Sequence, residues 1–286
     1  MSLNSVNSNT GALIALESLD QTNSALSATQ KAVSTGYRVA DATDDGAAYA
    51  VAQTVRSTVG ALTSANQQLG NVQGLLSTTE SGLNDVTNTM SSMRDVLVKL
   101  SDSNVSGDER TQYEAQYASQ LSNLQTFIQD ADYNGKTLIG NITGSSGTFA
   151  RVAVVRNDTG ASYGIATFGG SALYGSINFT STQLNGAATV ASLISATGTF
   201  INQMNAVGTA LNNIGSATNY VSNQISYNSD KIDALNTGLG SLVDADLAKE
   251  SAQLQALQIR QQLGTQALSL ASQAPQSLLT LFSKIS

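Results

Sequence analysis

Carboxylates carry the chemistry that this sequence leaves open. The chain has no histidine and no cysteine, which excludes thiol nucleophiles, Ser-His-Asp triads, His-zinc sites and thiolate clusters. Three carboxylate groupings remain. Asp44 and Asp45 are adjacent, and Asp244 and Asp246 flank a single residue; either pair has the composition of an acid/base couple or a hard-cation site. Asp130, Asp132, Asn134 and Gly135 match the first half of a calcium loop.

Each grouping has a plainer reading in the element beside it. The twelfth position of the calcium loop would be Asn141, where the loop needs a bidentate carboxylate, and a Gly-rich segment follows where its exiting helix should begin. A helix end followed by an Asn-Gly turn explains the same residues. The two aspartate pairs sit at predicted helix starts, where a carboxylate caps free N–H groups and complements the positive end of the helix dipole. The expectation is therefore no catalytic residue, no metal, no cofactor and no enzymatic activity.

The elements around these residues are helices, and the longest seam sets their organisation. Between 200 and 242 large apolar residues recur in steps of four and three: Phe200, Met204, Val207, Leu211, Ile214, Val221, Ile225, Ile232, Leu235, Leu239 and Leu242, with Thr218 and Asn228 as polar interruptions. A 3.5-residue repeat of that length lays one stripe along one helix and requires long helical partners. The first partner runs from Val55 to Leu100, with one slip at Leu69 to Val72 and with Asn66 and Thr79 as polar exceptions. Tyr117, Leu121, Leu124 and Ile128 define a shorter third helix. Between 139 and about 186 the period changes to two, predicting strands at 149–156, 162–168 and 173–180.

The two ends differ from this core. Residues 12–35 place Leu13, Leu16, Leu19, Leu26 and Val33 on a helix whose seam is broken by Asn23 and Gln30. Residues 247–263 carry Leu247, Leu254, Leu257, Ile259 and Leu263 toward Leu268 and Leu270, broken by Glu250 and Gln261. Such seams bury too little to offset the ordering entropy of an isolated helix. They are expected to fold against each other and against further subunits. The fold class is thus mainly α: a long antiparallel helical bundle or coiled-coil rod with a small β-hairpin insert, its terminal helices paired coaxially. The expected domains are 1–35 with 243–286 as terminal helices, 36–48 as a connector, and 49–242 as a helical rod carrying the insert.

Composition narrows the function. The net charge is −7 and Lys and Arg are not clustered, against a nucleic-acid partner. No window approaches a membrane span, and the first residues offer neither the basic nor the apolar part of an ordinary signal peptide. A single proline, Pro275, permits very long helices.

Against this background the chain resembles a bacterial flagellin over its whole length. Ser34, Gly36, Arg38, Val39, Ala42, Asp44, Asp45 and Ala47 match the family's connector segment, Tyr133-Asn134-Gly135 its Phe-Asn-Gly turn, and Asp244, Asp246, Ala248, Glu250, Ile259, Gln262, Leu268, Ala271, Gln273, Pro275, Gln276 and Leu279 its C-terminal pattern. Gly46 and Ala48 exchange the family's Ala and Gly, and Ser272 stands where Asn is usual. The resemblance implies a secreted subunit that self-assembles into the extracellular flagellar filament, the propeller of swimming motility. Its apolar contacts between subunits would come from Leu3, Val6, Leu13, Leu16, Leu19, Leu26, Val33, Leu247, Leu254, Leu257, Ile259, Leu263, Leu268, Leu270, Leu278, Leu279 and Phe282, with Gly36, Arg38, Asp44 and Asp45 as the connector motif. It also implies the flagellar export apparatus, a chaperone, the filament cap and hook-associated proteins as partners, and O-linked sugars on Ser and Thr of the β insert. Two alternatives are a hook–filament junction protein, which is hook-associated, and another helical coiled-coil assembly protein.

Overall fold

A chain nearly free of proline keeps its backbone amides inside helices over long spans, and eight α-helices make up most of the described residues. The computed structural model describes residues 9–145 and 147–283, with side chains described as far as residue 273. In chain order the elements are α1 (Thr10–Thr35), α2 (Gly46–Leu100), α3 (Gly107–Asp130), β1 (Lys136–Thr137), β2 (Thr148–Phe149), β3 (Val152–Val155), β4 (Ser162–Ile165), α4 (Gly170–Ile177), α5 (Ser181–Asn185), α6 (Ala187–Leu193), α7 (Thr199–Val243) and α8 (Leu247–Ser283). They form two compact units. One joins the described residues up to Ser57 with those from Ala234 onward; the other is Thr58–Asp233.

In the 58–233 unit the heptads decide the packing. Leu62, Leu69, Leu76, Leu83, Met90 and Leu97 recur every seven residues along α2 and are all buried, as is the interleaved series Ala65, Val72, Thr79, Val86, Met93 and Leu100. Ala65 rather than Asn66 fills the seam, so the slip expected near Leu69 is absent. Phe200, Val207, Ile214, Val221 and Asn228 form the matching buried series on α7, and Tyr117, Leu121, Leu124 and Ile128 face the same core from α3. A polar side chain inside such a seam needs a partner. Asn228, fully buried, donates through Nδ2 to Asn66 Oδ1 at 2.8 Å and to the Arg156 carbonyl at 3.0 Å. Gln73 reaches Ser222 Oγ at 3.2 Å. These bonds run α2 antiparallel to α7 and hold one register between them.

Two contacts tie the short elements of this unit to the long ones. Arg110, buried at the start of α3, donates to the carbonyls of Leu100, Val105 and Leu184. Tyr117 donates its hydroxyl to the Ile177 carbonyl at 2.6 Å, and burial raises its pKa above the ordinary tyrosine value.

The β content is smaller than the period-two stretch predicts. β1 and β2 form a two-residue parallel pair, while β3 and β4 form an antiparallel hairpin with Val152 opposite Ile165. Of the strand expected at 173–180, residues 173–177 belong instead to α4, and 178–180 are an irregular link to α5. Leu173 and Ile177 are four residues apart and both buried, so a helical turn puts them on one face as well as a strand would. Gly169 and Gly170 begin that turn at a place where a side chain would strike the Ile139 carbonyl, only 2.3 Å from the position of a Gly170 Cβ. Thr180 then opens α5 with a reciprocal capping box to Gln183.

Candidate assembly surface

The other unit is built on the antiparallel packing of α1 against α8. Both helices are capped, α8 by the Asp246 that the sequence places at its start and α1 by Asn9, so that α1 begins at Thr10, two residues before the expected start at 12. Asn9 Oδ1 accepts from the Ala12 amide at 3.1 Å, and Gly36, at φ 74°, closes α1 in the left-handed conformation with its N–H on Ala32 O. Asp246 Oδ1 accepts from the amides of Ala248 and Lys249 at the start of α8, and Asp45 Oδ1 does the same for Ala47 and Ala48 at the start of α2.

The connector is a charged turn folded on itself. Lys31 Nζ lies 2.6 Å from Asp41 Oδ2 and 2.8 Å from Asp44 Oδ1, and Asp44 Oδ2 also accepts from the amides of Ala40 and Asp41. The hydrogen bonds from Lys31 hold both carboxyl groups below their ordinary pKa and raise that of the lysine. Arg38 donates to the Leu242 carbonyl. Beneath it Val39, Ala48, Ala52 and Val243 make a small buried cluster. Asp44 and Asp45 therefore spend their oxygens on Lys31 and on backbone amides, and Asp246 on its cap. Asp244 pairs by backbone with Tyr37. Asn134 and Gly135, both at positive φ, form the two-residue turn between Tyr133 and Lys136, whose backbones bond each other in both directions.

Between α1 and α8 the polar seam residues meet. Gln261 Nε2 donates to Asn23 Oδ1 at 2.8 Å. Leu26 and Leu257 are buried, with Thr29 and Ala32 on the α1 side. Leu19, Val33, Leu254 and Leu268 are half-buried, and Leu19 leans toward Gly264, where its Cδ1 stands 3.2 Å from the place of a Cβ. The remaining apolar residues are not covered. Leu13 is 61 % exposed, Ile259 59 %, Leu263 58 % and Leu270 72 %, and Leu16 and Leu247 are exposed as well. Leu3 and Val6, and the side chains of Leu278, Leu279 and Phe282, lie outside the described residues.

The expected single seam on α8 is thus two stripes. Glu250, Leu254, Leu257, Gln261, Gly264, Leu268 and Ala271 are the less exposed side of the helix. Ala252, Ala256, Ile259, Leu263, Ala267 and Leu270 form an exposed stripe on another, legible afterwards as the same steps of four and three built partly from alanine. Ile14 on α1, 67 % exposed, also belongs to the uncovered apolar surface; it was missed because it falls outside the seam phase.

A family model described as the bacterial flagellin N-terminal helical region matches residues 6–143, and one described as the bacterial flagellin C-terminal helical region matches residues 194–282. Flagellin FljM of Caulobacter vibrioides is 30 % identical over 286 residues, covering 99 % of this chain and 100 % of that protein. A flagellin of Brucella melitensis is 31 % identical over 297 residues, covering 97 % of this chain and 99 % of its own. Among solved structures, a protein described as a putative flagellar hook-associated protein from Vibrio parahaemolyticus shares the fold with a TM-score of 0.55 at 17 % identity, over 70 % of this chain and all of that one. With relatives matched end to end and both helical regions in place, the chain belongs to the bacterial flagellins, a structural protein family, and is a subunit of the flagellar filament.

Proposed function

We propose that the α1–α8 pair is the device by which this flagellin polymerises. The observation that carries this reading is the set of uncovered apolar side chains on both helices, Leu13, Leu16, Ile259, Leu263 and Leu270. Each such residue buried between subunits contributes roughly 1.5–3 kcal/mol, and a few together repay the loss of freedom on association. An open, head-to-tail contact propagates where a closed one would stop at a dimer. The reading also counts Leu3, Val6, Leu278, Leu279 and Phe282, apolar residues of the two terminal sequences, among the contacts between subunits, and takes Gly36, Arg38, Asp44 and Asp45 as the residues that fix the turn after α1.

The same reading sets the protein's course. The subunit leaves the cell unfolded through the flagellar export apparatus, accompanied by a chaperone, and joins the filament beneath its cap on a base of hook-associated proteins. Ser and Thr of the 139–186 insert are the positions for O-linked sugars. It has no catalytic role.

Seeded polymerisation followed by electron microscopy tests this. The full chain extends seeds into long filaments, and a version lacking about 35 residues at the start and 40 at the end does not. The substitutions Leu16→Asp and Leu254→Asp block extension while leaving the helical signal of the 58–233 unit intact. Extension by the truncated chain would remove the terminal helices from the mechanism. A full chain that yields only short assemblies without propagation would move the protein to the hook–filament junction.

A further inference from the structure

Charge, sparse in the terminal helices, is distributed one-sidedly. Between residues 10 and 30 the only charged side chains are Glu17 and Asp20, and between 251 and 283 the only one is Arg260. None of the three makes an ion pair among the described residues. All three stand on the uncovered surface. Leu13, Leu16, Glu17, Asp20, Gln21 and Ser24 line one shallow hollow of about 620 Å³ on α1. Arg260, Leu263 and Ala267 form the α8 wall of a second hollow of about 540 Å³, whose other wall is Ser18, Gln21, Thr22 and Ala25 of α1 in the same subunit. No carboxylate lines it, so Arg260 gains no counter-charge there.

Covering Leu263 necessarily covers Arg260, three residues before it on the same face. A guanidinium taken out of water without a counter-charge opposes association strongly. The choice of partner helix follows from that penalty. If the exposed stripe of α8 met the same stripe of another α8, arginine would face arginine, with no acid between 251 and 283 to neutralise it. If the exposed face of α1 met another α1, Glu17 and Asp20 would face each other. Only the crossed arrangement neutralises both sides. Two carboxylates at positions i and i+3 also suit the five donors of one arginine fork.

The geometry points to a specific contact between copies of this chain: the Arg260 stripe of α8 in one subunit docks on the Glu17–Asp20 face of α1 in another, with the guanidinium bridging the two carboxylates. This rests on the polymerisation reading above and adds to it the pair of faces that meet. The contact is heterologous, so each subunit offers one half of it to each of two neighbours, as an open assembly requires.

Charge reversal across two chains tests the contact. Full-length Arg260→Glu and full-length Glu17→Lys/Asp20→Lys are each mixed with seeds, separately and together, along with a single chain carrying all three changes. Each partial variant raises the critical concentration for extension at least tenfold. The equimolar mixture and the triple variant extend seeds near the native concentration. If the triple variant recovers but the mixture does not, the pair lies within one subunit and the proposal is wrong. Native-like extension by either partial variant, or no recovery in both the mixture and the triple variant, overturns it too. Circular dichroism of every variant separates these outcomes from misfolding, since a variant with native helical content that fails alone and recovers in the mixture has a defect only at the contact. A native chain that fails to extend seeds would instead refute the polymerisation reading, and the contact with it.

Discussion

Asn9 donates from Nδ2 to the carbonyl of Ala271 at 2.7 Å, the carbonyl to which residue 275 would donate in a regular helix and cannot, because it is proline. Its Oδ1 meanwhile caps α1 by accepting from Ala12. One side chain therefore satisfies the free donor at the start of one helix and the orphan acceptor inside the other. A proline in mid-helix is tolerated where its freed carbonyl finds such a donor.

The two roles of Asn9 separate by substitution. Asn9→Ala loses both and is expected to cost about 1–2 kcal/mol in the α1–α8 pair. Asn9→Asp keeps the acceptor that caps Ala12 but presents no donor to Ala271. Hydrogen exchange on assembled filaments should show faster exchange at both sites for the alanine variant, and only around 268–273 for the aspartate variant. Equal effects of the two substitutions would mean that the Ala271 contact contributes nothing separable.

The Asn23–Gln261 bond predicts a different pattern. Replacing either residue with leucine leaves the other, half-buried polar group without its partner, at a cost of up to about 1 kcal/mol. Replacing both restores or increases stability, while removing the polar contact that distinguishes this register from one shifted by a heptad. Disulfide trapping between cysteines introduced in and out of register should find the shifted pairing only in the double leucine variant. A double variant that holds a single register would place the specification in other contacts.

These cases show what the sequence makes legible. The seams of α2 and α7 can be read directly, since large apolar residues at seven-residue spacing have few other places to go, and the caps at Asp45 and Asp246 follow from their position before helical runs. The Asn134–Gly135 turn is equally plain. What escapes is whatever depends on a distant partner. Asn23, Asn66, Asn228 and Gln261 read as defects in their seams until each is seen bonded to a residue more than 70 positions away. The strand expected at 173–180 failed because Leu173 and Ile177 satisfy a period of two and a turn of four alike, and burial against α3 rather than local pattern chose the helix. The stripe of α8 at Ile259, Leu263 and Leu270 was merged with its inner seam because alanines fill half of it.

The connector should respond to pH at both extremes. Asp41 and Asp44 have pKa values held below the ordinary 3.8 by hydrogen bonds from Lys31. Their contribution is complete above that value and is lost as pH falls from about 4 through the lower folded values. Lys31 is raised above 10.5 by Asp41 and Asp44, so its contribution is complete below 10.5 and is lost as pH rises through the folded value. Exchange rates of the connector amides at Ala40 and Asp41, corrected for intrinsic rates, should be flat between these limits and rise beyond them. In Lys31→Met the acid limb should move up toward pH 4, and no such movement would mean that the ion pairs do not govern the turn.

Arg110 sets the last expectation, for the 58–233 unit. Its guanidinium is the donor for the carbonyls of Leu100, Val105 and Leu184, which belong to the end of α2, the turn after it and the end of α5. Lysine has one nitrogen on a flexible stem and cannot span three acceptors in one plane. Arg110→Lys should therefore destabilise nearly as much as Arg110→Ala, by about 3 kcal/mol, whereas Arg94→Ala, on the exposed side of α2, should stay within about 0.5 kcal/mol of the native chain. Urea unfolding should show the loss as a lower midpoint with unchanged slope. A lysine variant as stable as the native chain would mean that positive charge at this position, rather than the fork that joins the three carbonyls, is what the fold requires.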